Sequence, residues 1–398
     1  MKDTPGPLKD ITVLDLSRVL VGPFCSMMLA DMGADVIKVE EPGVGDETRT
    51  WGPPFVEGEA TYFLSINRNK RSITVNLRSE AGRNIVYRLA ERADIVLENF
   101  RPGVAKRLQV DYDTLQARNP RLLYTSFSAF GQTGPYAERP GYDLVLQAMG
   151  GIMSLTGYPD RPPVKMGVAI SDLAAGMFAA YAIVSALYSR SRTGKGQYID
   201  VALLDGQIAL LTAWASSYFA TGKAPGRYGS GHPQIVPYQA FPTLTIEIIV
   251  CVTNEKFWGL LCDLLALPSL KDDPRYRTNP DRVQNRDSLL PMLEAEFLSR
   301  PGEEWLERLQ SAGIPSAPIN TVDRALGDPQ VLARGMVVEV DHPTAGRLKL
   351  PGPPYKLSET PATVRTAPPL LGQHTDEILA QFGYSPTEIQ DLRQMGAV

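Results

Sequence analysis

The sequence predicts an α/β protein: a Rossmann-like large domain on a parallel sheet, joined to a smaller α+β domain. Two observations carry this. Strand-length apolar runs alternate with helix-length amphipathic stretches through residues 11–126, as in chains that build parallel sheets. The alternation stops at residues 222–237, where glycines and prolines collect around Arg227, Tyr228 and His232, and helical patterns dominate beyond it. The expected division is residues 1–222 for the first part of the large domain, 223–330 for the small domain, and 331–398 for a return to the large one.

Residues 11–16 and 36–40 read as strands around a helix at 24–32, so the chain opens as a β-α-β unit. Gly22-Pro23 is expected to break the chain ahead of that helix. No Gly-x-Gly-x-x-Gly follows the first strand, so the dinucleotide fingerprint is absent. Residues 41–59 form a long loop rich in Gly, Pro and charge, the kind that carries function more often than packing. Strands follow at 71–76, 95–98, 122–126 and 198–201, and helix 80–93 puts Ile85, Val86, Leu89 and Ala90 on one face. Ligands gather outside the carboxyl ends of parallel strands, which makes the turn at 99–103 a candidate site. A polar loop is expected at 190–197 and a helix at 205–221. The small domain should hold a strand at 246–252 and helices at 256–265, 287–298 and 303–312. A hairpin at 336–350 and a helix ending near 379 close the chain.

With 40 basic against 44 acidic residues, a net charge of -4 and no basic run, composition argues against nucleic-acid binding. It gives no hint of membrane attraction either. The uncharged segments 173–189 and 206–222 fall short of a bilayer span and read as core helices. Cys25, Cys251 and Cys262 each fall in an apolar segment and are expected to pack in cores. His232, His342 and His374 are far apart, and no Cys/His pair has ligand spacing, so no metal is expected. A Gly-x-Ser-x-Gly elbow is missing, which argues against a serine hydrolase. Residues 1–10 lack the apolar region of a signal peptide. A cytoplasmic location is expected, or an organellar matrix if a presequence was removed.

Asp172 is the one charged residue in the stretch 166–189. A short apolar run, 168–170, leads into Ser171 and Asp172, and an apolar helix follows. Two readings stand. Asp172 caps the helix, its oxygens accepting the free N–H groups, or it is a part-buried carboxylate nucleophile held by the same dipoles.

Residues 13–23 (VLDLSRVLVGP), 33–40 (GADVIKVE), 69–72 (NKRS), 98–103 (ENFRPG), 171–173 (SDL), 193–196 (TGKG) and 370–375 (LLGQHT) carry a resemblance to the class III coenzyme A transferases. It runs over almost the whole chain. Residues 46–54 and 235–241 also look like the subgroup that moves CoA from succinyl-CoA to small dicarboxylates such as glutarate or hydroxymethylglutarate. The resemblance implies ping-pong chemistry in which Asp172 passes through an acyl-aspartyl anhydride and an aspartyl-CoA thioester. It implies acyl-CoA and carboxylic acids as substrates, no tightly bound cofactor, and an intertwined homodimer.

By the same resemblance Val75, Arg78, Asn99, Phe100 and Arg107 meet the adenine and 3′-phosphate end of CoA, while Val19, Leu20 and Leu203 line the pantetheine. Gly229 to Gly231 matches a glycine-rich loop that closes over the nucleophile, with a plain turn as the alternative. Leu20 and Pro140 stand where the formyl-CoA branch has glutamine and lysine, so an acceptor as small as oxalate is not expected. Arg18, Arg49 and His232 are candidates for the acceptor's far carboxylate, and Trp51 for shaping its pocket. The rival on this fold is an α-methylacyl-CoA racemase, which uses an Asp/His pair. Its histidine matches Tyr142 here, and a phenol is a poor base at neutral pH.

Overall fold

Six strands, all paired in parallel, order the first of two units in this computed structural model, which describes residues 6–398. The part of the N-terminal reading that rests on residues 1–5 lies outside the described residues. The strands are β1 (Thr12–Asp15), β2 (Asp35–Glu40), β3 (Lys70–Thr74), β4 (Ile95–Glu98), β5 (Leu123–Ser128) and β6 (Gln197–Ala202). Their spatial order is β3-β2-β1-β4-β5-β6. The chain runs outward from β1 to β3, then crosses back and lays β4 on the free side of β1, with Val13 opposite Ile95. That reversal opens a crevice beyond the carboxyl ends of β1 and β4, where open sheets bind ligands.

The helices that matter here are α1 (Val21–Asp31), α2 (Glu80–Ala90), α3 (Asp143–Met149), α4 (Ile170–Thr193) and α5 (Leu203–Leu210). Successive strand residues face opposite ways. Val13, Val36, Ile95 and Leu97 pack with Cys25 and Leu29 of α1 and with Ala175, Ala179 and Ile183 of α4. Leu14, Ile37, Ile73 and Val96 pack with Ile85, Val86 and Leu89 of α2 and with Ile378 and Leu379 near the C-terminus.

Several expected boundaries move, each for a local reason. Gly22-Pro23 does not break the chain, because α1 already starts at Val21. In a first turn proline gives up an N–H that has no helical partner anyway. Only glycine fits before it, since a Cβ on Gly22 would sit 2.1 Å from Ser17 Oγ. The expected polar loop at 190–197 is helical to Thr193, because Arg190 turns inward and donates to Asp94 at 2.7 Å. α4 is therefore 24 residues long, and by length and composition alone it could cross a membrane. Its buried face nonetheless closes the core against α1, helped by Gly176, where a Cβ would lie 3.0 Å from the Val21 carbonyl oxygen. The helix expected at 205–221 is divided at Thr212, whose φ is +40°.

The second unit comprises residues 153–165 and 216–328, while 329–398 belong to the first. It is built on an antiparallel sheet of β7 (Tyr238–Phe241), β8 (Ile248–Cys251) and β9 (Ser316–Pro318), ordered β9-β8-β7. Helices Glu255–Leu264, Arg286–Phe297 and Gly302–Ser311 pack around Trp258, Phe297 and Trp305. The sequence reading missed β7 and the helix Asn279–Gln284. The latter carries a legible signal, a capping box between Thr278 and Asp281.

Beneath the carboxyl ends of β1 and β2 lie two fully buried lysines. Lys38 Nζ donates to Asp46 Oδ2 at 2.8 Å and to the Ser17 carbonyl at 3.1 Å. Lys70 Nζ donates to Asn67 Oδ1 at 2.8 Å, to the Pro23 carbonyl at 2.9 Å and to Asp15 at 3.3 Å. Burial alone raises Asp46, but Lys38 and the Thr48 donors overcome it and hold the carboxyl down to about 2. Lys38→Met would leave Asp46 charged, buried and unmatched. The expected cost is about 3–5 kcal/mol in denaturant unfolding, partly recovered in Lys38→Met/Asp46→Leu. A single-variant loss under about 1 kcal/mol would mean that the pair does not hold this region together.

Candidate active site

The turn after β1 is strained and clamped. Val19 has φ +68°, a left-handed conformation that a β-branched residue rarely adopts. Its neighbours impose it. Asn99, beyond β4, grips Arg18 from both sides: Oδ1 accepts the Arg18 N–H at 2.8 Å and Nδ2 donates to the Arg18 carbonyl at 2.6 Å. The Val19 N–H is shared between the two oxygens of Asp46, each at 3.3 Å. The Lys38–Asp46 pair thus fixes the floor of the crevice, and Asn99 ties its two walls together.

Two clefts of the first unit meet at this turn. One, of about 190 Å³, is lined by Arg18, Val19, Asn99, Phe100, Arg139, Tyr142, Asp172 and Leu203 among others. The other, of about 460 Å³, is lined by Val75, Arg78, Arg83, Arg107 and Leu108, and shares Arg18 and Phe100 with the first. The first has the Asp172 carboxylate in its wall together with Arg18, Arg101 and Arg139, and the second gathers Arg78, Arg83 and Arg107 alongside Glu40, Glu41 and Asp46.

Asp172 is the third residue of α4. The cap position belongs to Ala169, which makes no side-chain bond, so Asp172 is not the N-cap. Its carboxylate has neither a hydrogen bond nor an ion pair among the described residues. Asp172 is half-buried, whereas the fully buried carboxylates of this unit all have partners. Asp15 has Lys70, Asp31 has Arg68, Glu40 has Arg49 and Asp46 has Lys38. Glu98 accepts from the Phe100 N–H and the Ser126 hydroxyl. Burial, and then the nearby charge of Asp143, push Asp172 up to about 7.

Asp143 opens α3 and holds α4 beside it. Its Oδ1 accepts the Ser171 N–H at 2.8 Å, its Oδ2 accepts from Gln147 at 2.7 Å, and its carbonyl accepts the Ser171 hydroxyl at 3.1 Å. A dehydrated carboxylate of raised basicity, fixed in position and open to a cleft, is equipped to act as nucleophile or base. Burial first, then Asp172, Asp143 and Asp46, push the Tyr62 phenol up to about 12, so it stays protonated beside them.

The site residues read from the sequence divide accordingly. Val19, Asn99, Phe100, Leu203, Arg18 and Tyr142 line the Asp172 cleft, and Val75, Arg78 and Arg107 line its neighbour. Leu20 is buried between Val19 and Val21 and lines neither cleft. Arg49 is a correction. Its guanidinium forks onto Glu40 at 2.7 and 2.8 Å and stacks 3.6 Å over Phe63, so it has no free edge for an acceptor.

Trp51 is also outside the cleft lining, packed edge-on against Tyr62 with ring centroids 5.2 Å apart. Gly229, Gly231 and His232 belong to the second unit. Gly229, at φ +60°, donates its N–H to the Gly157 carbonyl at 3.0 Å, and His232 Nδ1 accepts the Gln234 N–H at 3.1 Å. Arg139, Asp143, Tyr62 and the Lys38–Asp46 pair escaped the sequence reading. None sits in a spacing that marks it, although Asp143 follows the Tyr142 that was singled out.

Comparison with known proteins bears on this geometry. The chain matches the family described as CoA-transferase family III over residues 8–375. It is 45% identical over 397 residues to a succinyl-CoA:glutarate CoA-transferase of Mus musculus, covering 100% of this chain and 91% of that protein. It is 44% identical over 354 residues to an acetyl-CoA:oxalate CoA-transferase of Acetobacter aceti, covering 89% and 90%. A crystal structure of a CAIB/BAIF family protein from Brucella suis superposes with a TM-score of 0.86 at 44% identity, covering 95% of this chain and 100% of that one. A match over nearly the whole chain, by sequence and by fold, makes this protein a member of CoA-transferase family III.

Proposed function

We propose that the protein moves CoA from succinyl-CoA to a small dicarboxylic acid such as glutarate, through covalent intermediates on Asp172. The observation that carries this reading is the unmatched, half-buried carboxylate in the cleft wall, beside a cleft rich in arginine. Relatives named for succinyl-CoA and glutarate support the substrate pair. A relative of nearly equal identity is named for oxalate, so the preference for a longer acceptor rests on Pro140 in the wall of the Asp172 cleft.

An Asp172 oxygen attacks the donor thioester carbonyl. The C–S bond breaks, CoA leaves as thiolate, and an acyl-aspartyl anhydride remains. The thiolate attacks the aspartyl carbonyl, and the donor acid departs as carboxylate from an aspartyl-CoA thioester. An acceptor carboxylate then expels the thiolate and forms a second anhydride. Attack of the thiolate on the acceptor carbonyl releases the new acyl-CoA and regenerates Asp172. The energy of the thioester is kept within covalent bonds, so the acid is activated without ATP.

Arg78 and Arg107 take the phosphate end of CoA, with Val75 under the adenine, and Asn99 and Phe100 guide the chain past Arg18. Val19 and Leu203 border the pantetheine arm, with Leu20 behind them. Racemase chemistry is not favoured, since the residue at the matching place is Tyr142 and no histidine lines the Asp172 cleft among the described residues. Homodimer formation is supported by the outer face of α4, where Tyr181 and Tyr188 are 77% and 66% exposed, more apolar area than a helix in water normally leaves bare.

Incubation with succinyl-CoA followed by hydroxylamine should leave a hydroxamate on Asp172, seen by mass spectrometry. Asp172→Asn should fold, because Ala169 holds the cap, and should lose at least ~10³-fold in turnover. An active Asn variant with no adduct on the wild type would sink the mechanism. The attacking species is the carboxylate, so the single-turnover acylation rate should rise as pH passes through about 7.

Stability should move the other way. A folded-state pKa above the unfolded value means that the native protein binds more protons between the two. Asp172 then subtracts stability as pH rises from the ordinary carboxylate range to about 7. The stability advantage of Asp172→Asn over wild type, read from urea midpoints, should grow across that window and level off above it. A difference that does not change with pH would contradict the raised pKa.

A further inference from the structure

We propose that Arg139 receives the distal carboxylate of the acyl group and of the acceptor acid, and so sets the preference for dicarboxylates. The assignment rests on the transferase reading above. Three arginines line the Asp172 cleft: Arg18, Arg101 and Arg139. Arg18 is engaged with Glu47 at 3.0 Å and also borders the phosphate-end cleft. Arg101 sits on the turn after β4 and borders a further cleft alongside Glu98 and Tyr198.

Arg139 borders the Asp172 cleft alone of the clefts described. It makes no ion pair among the described residues. Its guanidinium carbon lies 3.8 Å from the centre of the Tyr136 ring, and Tyr136 packs edge-on against Phe130 at 5.7 Å. Stacking fixes the plane of a guanidinium and leaves its N–H edge free, the geometry a planar carboxylate pairs with twice.

Direction along the cleft supports the same assignment. CoA laid from the arginine-rich cleft past Phe100 brings its thioester to Asp172. The acyl chain then continues into lining that the other cleft does not share, which holds two cations, Arg101 and Arg139. Of the two, Arg101 also borders the further cleft beside Glu98, which leaves Arg139 as the cation of the Asp172 cleft alone. It is also tied to the nucleophile through the chain: it stands three residues before Tyr142, the N-cap of α3, and Asp143 of α3 bonds Ser171 of α4.

The test is steady-state kinetics of Arg139→Gln and Arg139→Lys with succinyl-CoA and glutarate, together with inhibition by free CoA, which carries no acyl carboxylate. The glutarate KM should rise ~10–100-fold in Arg139→Gln and recover in part in Arg139→Lys, with the inhibition constant of CoA unchanged within about 2-fold. A folded Arg139→Gln protein with its acceptor KM intact overturns the assignment. So does a parallel rise in the CoA constant, which would place Arg139 on the nucleotide.

A second measurement needs no variant. Wild-type Asp172 should be acylated at least ~10-fold faster by succinyl-CoA than by butyryl-CoA, and equal rates would also overturn the assignment. Wild-type protein that forms no new thioester with any dicarboxylate would overturn the transferase reading itself, and this one with it.

Discussion

A carboxylate withdrawn from water is costly, and in the first unit Asp172 bears that cost with no partner, whereas Glu98, which burial also pushes up to about 7, at least accepts from Ser126 and the Phe100 N–H. An unpaired buried polar group loses about 1–3 kcal/mol, and more if charged. The group persists because the parts around it are over-determined. α4 is anchored along its buried face against α1, and Asp143 pins Ser171, the residue immediately before Asp172. A carboxylate in water is a weak nucleophile, shielded by its own hydration. Here dehydration and the charge of Asp143 raise its basicity before any substrate arrives.

The sheet decides where that group can be used. Because the chain reverses between β3 and β4, the ends of β1 and β4 part, and the turns that follow them face a common crevice. Val19 is forced into a left-handed backbone there and is held by Asn99 on one side and Asp46 on the other. The two clefts share Arg18 and Phe100, so they run into one another, with Arg78, Arg83 and Arg107 in one and the Asp172 carboxylate in the other. In a protein with net charge -4, any attraction for an anion has to come from such local placement and not from the overall field.

Arginine illustrates how little residue type says by itself. Arg49, Arg68 and Arg190 are structural: the first two fork onto Glu40 and Asp31, the third reaches the Asp94 carboxylate with one nitrogen and backbone carbonyls with another, and all are largely shielded from water. Arg78, Arg107 and Arg139 border open clefts instead. In the sequence the two groups look alike. Arg49, in a long polar loop beside Trp51, looks the more functional of the loop arginines, yet it is the one whose edge is taken by Glu40.

Much was nevertheless legible along the chain. Period-two and period-3.6 patterns identified all six parallel strands and the main helices, because one-sided burial writes itself into local sequence. Asp172 stood out because it is the one charge entering an apolar helix, and the short motifs indicated which kind of protein this is. What the chain did not disclose was pairing across distance: that Lys38 lies under Asp46 and Val19, that Asp143 holds Ser171, and that residue 172 has no partner where Asp15, Asp31 and Glu40 each have one. Periodicity is a local property, set by which face of an element is buried. Partnership depends on how elements distant in sequence come together, and only the folded chain decides it.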